Sequence, residues 1–185
     1  MKNPTGNTLR VEDDSPRDAI QMWHGNTELL KTLNRCGVDY VVFGGWAVFA
    51  HGGRRGGDLD LMLSPTVENG ERFVQACVEL GHTPVGWDAR KIAEPFTILR
   101  LNTMEFLADI ITPPATVSYP EILERSAPIK VNGQACKVIS KPDLIEIKRL
   151  AVNALTTELP KYPDEPELLA KLQKNQDDLR FLESS

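Results

Sequence analysis

Asp58 and Asp60 stand one residue apart in the run Asp58-Leu59-Asp60-Leu61-Met62-Leu63, whose alternation reads as a β-strand. Successive side chains on a strand point to opposite faces, so the two carboxylates share one face and the leucines take the other. Like charges held that close repel each other. A divalent cation between them removes the conflict, because hard cations such as Mg2+ take oxygen ligands from one or two carboxylates together with phosphates. An isolated Asp-x-Asp also occurs on solvated strand edges, and the neighbouring residues argue for more than that. Upstream, the β-branched and aromatic run Tyr40-Val41-Val42-Phe43 reads as a buried strand that stops at Gly44-Gly45. Glycines at such a strand end let backbone N–H groups approach a phosphate closely. Twelve residues separate Gly45 from Asp58, room for a short helix, Trp46 to His51, and a glycine-rich turn, 52–57, that carries Arg54 and Arg55.

Taken together, these residues resemble the nucleotidyltransferase superfamily with the DNA polymerase β-like fold, specifically its small prokaryotic members. Their signature is a hydrophobic-Gly-Gly element, a spacer of about this length and Asp-hydrophobic-Asp, which Gly44, Gly45, Asp58 and Asp60 match residue by residue. The aminoglycoside and lincosamide nucleotidyltransferases, and the toxin-type enzymes of toxin–antitoxin pairs, carry a GGxA…H…R-x-T-x-D-h-D pattern. Ala47, His51 and Arg54 fit it, whereas Gly56 stands where threonine is usual. The resemblance implies metal-dependent transfer of a nucleoside monophosphate from an NTP, ATP favoured, to a hydroxyl acceptor, with release of pyrophosphate. It further implies two Mg2+ ions and a nucleotide site at Gly44, Gly45 and Arg54.

Such enzymes need a third carboxylate on a neighbouring strand. The candidate is Asp109, an isolated charge in the apolar half of the strand-like run Glu105-Phe106-Leu107-Ala108-Asp109-Ile110-Ile111. Glu105 falls on the same face but about 13 Å away at strand rise, too far to share ions. In the implied scheme Asp58 and Asp60 hold the ion that carries the triphosphate. The second ion, shared with Asp109, activates the acceptor hydroxyl, whose proton Asp109 could accept.

Residues 141–153 read as a helix with Pro142 in its first turn. Glu146, Arg149 and Asn153 share a polar face, while Lys148 lies on the stripe of Leu144, Ala151 and Val152. Either its stem packs and its amine reaches water, or the amine is presented to the triphosphate. Small nucleotidyltransferases often carry a lysine on this helix, and the resemblance therefore puts Lys148 in the nucleotide site. Lys174-Asn175-Gln176-Asp177-Asp178-Leu179 looks like a degraded form of a K/R-x-K-D-x-x-D pattern found on the following helix of these families. A solvated charged face explains it equally well, and no chemistry is assigned to it.

Composition bounds the rest. A chain of 185 residues, 41% hydrophobic, can bury one core and a small helical appendage. No stretch approaches the roughly 18–20 apolar residues of a membrane span, and a signal-peptide pattern is absent from the N-terminal residues. Three widely spaced cysteines, Cys36, Cys77 and Cys136, suit reduced core positions in a cytoplasmic protein. His24, His51 and His82 lack ligand spacing. A net charge of −5 argues against a broad grip on nucleic acid but leaves room for a local patch of Arg54, Arg55, Arg90, Lys91 and Arg100.

The expected organisation is a loose arm over residues 1–17, a nucleotidyltransferase domain over 18–155 and a C-terminal helical extension over 156–185. The fold class is α/β (α+β), a mixed sheet with helices packed on it. Helices are expected over 28–35 and 71–80. Strands are expected over 96–101 and 104–111, turning tightly at Asn102-Thr103, followed by a Pro- and Thr-rich loop. A second hairpin, 129–131 with 135–139, turns on Asn132-Gly133, a type I′ signal. Two helices, separated by a linker over 160–166, close the sequence. The acceptor and the oligomeric state are not legible. An antibiotic-modifying enzyme needs an acidic pocket, for which Glu94, Glu105, Glu121 and Glu124 are available. A toxin-type enzyme acting on tRNA or protein needs a basic groove that includes Arg90 and Arg100. A nucleotide- or partner-binding module without turnover is the alternative of a different class.

Overall fold

Short apolar runs bounded by glycine, proline or capping residues become the strands and helices of a mixed α/β fold. The computed structural model describes residues 9–11, 17–54, 56–82, 86–102, 107–162 and 164–184. In chain order the elements are β1 (Leu9–Val11), α1 (Arg17–Arg35), β2 (Tyr40–Phe43), α2 (Gly44–Ala50), β3 (Leu59–Leu63), α3 (Val67–Glu79) and α4 (Ala89–Ala93). They continue with β4 (Ile98–Asn102), β5 (Leu107–Ile111), α5 (Tyr119–Arg125), β6 (Ala127–Val131), β7 (Gln134–Val138), α6 (Lys141–Glu158), a 3-10 turn (Leu159–Lys161) and α7 (Pro166–Ser184).

The described strands form one seven-stranded sheet in the order β1-β6-β7-β2-β3-β5-β4. β2 runs antiparallel to β3, β3 parallel to β5, and β5 antiparallel to β4. One face buries Val42, Leu61 and Ile110; Tyr40, on that face, donates its hydroxyl to Asn34 of α1 at 2.9 Å. Leu29, Leu30 and Leu33 of α1 and Phe73, Ala76 and Cys77 of α3 complete this core. Burial pushes the Cys77 thiol up to about 12, as expected of a packed, unreactive cysteine. Among the described residues, no helix is long and apolar enough to cross a membrane.

Asn69, buried on α3, is a clamp that sets up the site from behind. Its carboxamide accepts from Asp39 N–H at 2.7 Å and donates to the carbonyls of Asp39 and Ser64 at 3.0 Å each. The start of β2 is thereby tied to the end of β3, which fixes how Gly44 and Asp60 face each other at the opposite ends of those strands. The helix itself starts earlier than expected, at Val67, because Thr66 caps it by accepting from Asn69 N–H.

Other expectations are corrected in the same way. α1 begins at Arg17 rather than Glu28, and Leu29, Leu30 and Leu33 of its second half are fully buried. Leu9–Val11, expected in a loose arm, pairs with β6. α4, capped by Asp88, and α5 were not anticipated in segments rich in polar residues and proline. The tight turn at Asn102-Thr103 is wrong: Asn102 pairs with Leu107, and Leu101 with Ala108. That register buries Leu101 beside Ala108 and sets Arg100 opposite Asp109. Thr103 and Glu105 lie outside the described residues. The Asn132-Gly133 turn is present, with φ of 46° and 79°, the positive pair that a type I′ turn requires.

Candidate functional site

Register assembles the acidic half of the site. Phe43 lies opposite Asp60, Asp60 opposite Asp109, and Asp109 opposite Arg100, so one row across β2, β3, β5 and β4 reads Phe, Asp, Asp, Arg on a single face. Neighbouring strands lie about 4.8 Å apart, so two carboxylates occupy adjacent places in that row. Burial pushes the Asp60 carboxyl up to about 6; the Gly45 N–H and the Lys148 charge oppose the rise, and the Asp109 charge adds to it. The row therefore favours a cation.

The glycines are explained by contact. Gly44 has φ of +61°, and a Cβ there would land on the Asp60 carboxylate. Gly45 N–H donates to Asp60 Oδ2 at 3.1 Å. Gly56 lies against the glycine pair, and a Cβ on it would come within 2.7 Å of the Gly45 carbonyl carbon and 2.8 Å of Trp46 N. The place where the resembled families carry threonine thus has no room for a side chain in this protein.

Two helices supply the opposite wall. Asp60, Asp109, Gly44 and Gly45 line a cavity of about 230 Å3 together with Leu144, Ile147, Lys148 and Ala151 of α6 and Lys171, Lys174 and Asn175 of α7. Lys148, only 8% exposed, donates to Asp178 Oδ2 at 2.8 Å and Asn175 Oδ1 at 2.9 Å. Asp178 is buried, and its second oxygen pairs with Arg54 at 2.9 Å. One carboxylate thereby fixes both cations expected in the nucleotide site. His51 Nε2 lies 2.9 Å from the Ile139 carbonyl, joining the end of α2 to the chain just before α6.

Gly44, Gly45, Asp60, Asp109 and Lys148 therefore meet at one cavity, with Arg54 beside it through Asp178. Asp58 does not line that cavity; it precedes β3, half-buried, and acts electrostatically on Arg100. Among the described residues, no three His, Cys, Asp or Glu side chains are gathered as a group that could hold a metal ion. Both oxygens of Asp109 accept from Arg100, at 2.8 and 3.0 Å.

No protein-family model matches the chain, and no curated protein matches its sequence. Among solved structures the chain is similar to the crystal structure of an antigenic nucleotidyltransferase-like protein from Paracoccidioides brasiliensis, at 16% identity and a TM-score of 0.46, covering 90% of this chain and 76% of that one. The likeness is distant, and no residue role is transferred from it.

Lys171, Lys174, Asn175 and Asp178 were not assigned chemistry from sequence. The signal was present: with the buried Leu182 they fall at i, i+3, i+4, i+7 and i+11, one stripe of α7. Of the acidic residues available for an acceptor pocket, the described Glu94, Glu121 and Glu124 do not line this cavity. Glu94 pairs with Lys91 on the surface, and Glu121 and Glu124 are exposed on α5, where Glu121 pairs with Arg125. Arg90 is exposed on α4, and Arg55 lies outside the described residues.

Proposed function

We propose that this protein is a metal-dependent nucleotidyltransferase that moves a nucleoside monophosphate from an NTP, ATP favoured, to a hydroxyl acceptor and releases pyrophosphate. The observation that carries the reading is the cavity with an aspartate pair on its sheet wall and Lys148, Lys171 and Lys174 on its helix wall. A triphosphate with its cation is a ligand whose two charge signs suit those two walls.

Asp60 and Asp109 would hold Mg2+, and the raised Asp60 carboxyl, relieved by a nearby positive charge, fits such an ion. When bound, the ion supplies charge neutralisation and Lewis acidity at the reacting phosphate. Lys148 neutralises charge on the departing pyrophosphate, held in place by Asp178, and the exposed Lys171 and Lys174 extend that field to the rim. Asp109, on the open side of the row, takes the proton of the acceptor hydroxyl once Arg100 has left it. Asp58, just before β3, would join the pair as a metal ligand once its segment rearranges. The lysine wall is unsuited to a polycationic acceptor inside the cavity, so such a drug would have to approach from the β4 side.

The test is incubation of the full chain with Mg2+, each α-labelled NTP and a cell extract, followed by separation of small molecules, RNA and protein. Label in one fraction with matching pyrophosphate release is expected, and Asp60→Ala is expected to abolish it. Nucleotide binding by calorimetry with no transfer for any NTP would overturn the enzyme in favour of a non-catalytic nucleotide-binding module. The pairing of Arg100 with both oxygens of Asp109 is the observation that favours that second reading.

A further inference from the structure

Arg100 occupies the two oxygens that a cation between Asp60 and Asp109 needs. Its Nε donates to Asp109 Oδ1 at 2.8 Å and its Nη2 to Oδ2 at 3.0 Å, a bidentate pairing of guanidinium and carboxylate. The two residues lie directly opposite each other in the antiparallel β4–β5 ladder, so the contact needs no reach and forms from the backbone register alone. The arginine side chain is 55% exposed and that of Asp109 is 23% exposed. β4 ends the described sheet, and its neighbour on the same face, Ile98, is also exposed. An ion pair in such surroundings is weak, because water screens it and competes for both partners. The displaced guanidinium also keeps an anionic neighbour, since the Asp58 charge acts on it already.

We propose that Arg100 is a displaceable counterion of Asp109, which competes with a divalent cation for that carboxylate and leaves it when the cation binds. This rests on the reading of Asp60 and Asp109 as the cation-holding pair. Arg100 is a positioning residue in this role: it sets how readily the site loads, by keeping Asp109 oriented toward the row and occupied. The surroundings suit that role. A buried pair would resist displacement, and a pair not in register would leave the carboxylate free to turn away from Asp60.

The probe is Mn2+ alone, without nucleotide, titrated into the full chain and followed by the spin-resonance signal of the free ion. Arg100→Ala is expected to bind Mn2+ roughly fivefold more tightly than the unsubstituted protein, the factor that corresponds to an exposed ion pair of about 1 kcal/mol. Arg100→Lys, which keeps the charge but not the bidentate geometry, is expected to gain less, and the gain should vanish in Arg100→Ala/Asp109→Asn. Thermal melting without metal verifies that each variant is folded. Equal or weaker binding by Arg100→Ala, with Asp109→Asn still weakening the site, would overturn the competition and leave the acidic pair standing. Unchanged Mn2+ affinity in both Asp60→Asn and Asp109→Asn would remove the pair as a cation site, and the role of Arg100 with it.

Discussion

Two ion pairs of the same 2.8 Å length border the cavity and live in different surroundings. Arg100–Asp109 faces water on the edge strand, while Lys148–Asp178 is enclosed between α6 and α7 with side chains 8% and 2% exposed. The exposed pair contributes little to stability and can be exchanged for another partner. Loss of Asp178 leaves the enclosed Lys148 without its paired carboxylate and out of reach of water. Distance alone does not separate a contact that holds a fold from one that can yield; burial does. The cavity thus has a fixed basic wall and an acidic wall whose outermost carboxylate can be released.

The most damaging way to test this contrast is Asp178→Ala, which strands Lys148 and frees Arg54. A loss of about 3–5 kcal/mol in chemical denaturation is expected. Replacing both partners, Lys148→Met with Asp178→Leu, should recover much of that loss while abolishing triphosphate binding in calorimetry. A double variant as unstable as the single one would show that the helices need the pair itself rather than the absence of a lone charge.

Asp60→Asn is expected to act more gently and with the opposite sign. The folded Asp60 carboxyl titrates near 6, above its ordinary value near 4, so the folded protein binds the proton more tightly than the unfolded chain. Its contribution is fully present below about pH 4 and is lost as pH rises through about 6. Melting measured from pH 4 to 8 without metal should therefore show the variant gaining relative to the parent, by on the order of 1 kcal/mol, toward neutral pH. Parallel pH curves for the two proteins would remove the strain assigned to the acidic row.

The smallest effect is expected at Arg100. Arg100→Gln should change unfolding free energy by less than about 1 kcal/mol, as for other exposed pairs, and that change should shrink further in high salt. A loss as large as that of Asp178→Ala would place both pairs in the same class and erase the contrast.

The acidic wall was legible in sequence because its determinants are local. A glycine pair ending one strand, two aspartates at period two and a single charge in an apolar run each follow from strand geometry, and Gly44, Gly45, Asp60 and Asp109 do meet. Asp58 shares the period but lies just before β3, where strand alternation no longer dictates direction. The basic wall was half legible: Lys148 stood out as a cation on an apolar stripe. The stripe of α7 did not, because Lys171, Lys174, Asn175 and Asp178 at helical spacing look the same whether they face water or a cavity. Only the packing of α7 on α6, which buries Asp178, tells the two apart, and that packing is a long-range fact. The short helices α4 and α5 were missed because so few residues bury only Ile92, Tyr119 and Ile122 and leave no periodic signature.

The basic wall also sets a timetable. Synthesis runs from N- to C-terminus, so β2, β3 and β5 emerge before α7, and Lys171, Lys174, Asn175 and Asp178 join the cavity after the acidic row. Until Asp178 arrives, Lys148 lacks its buried partner and Arg54 its anchor. A growing chain thus carries the acidic row well before the lysines of α7 face it, and synthesis itself keeps the cavity incomplete until α7 has been made.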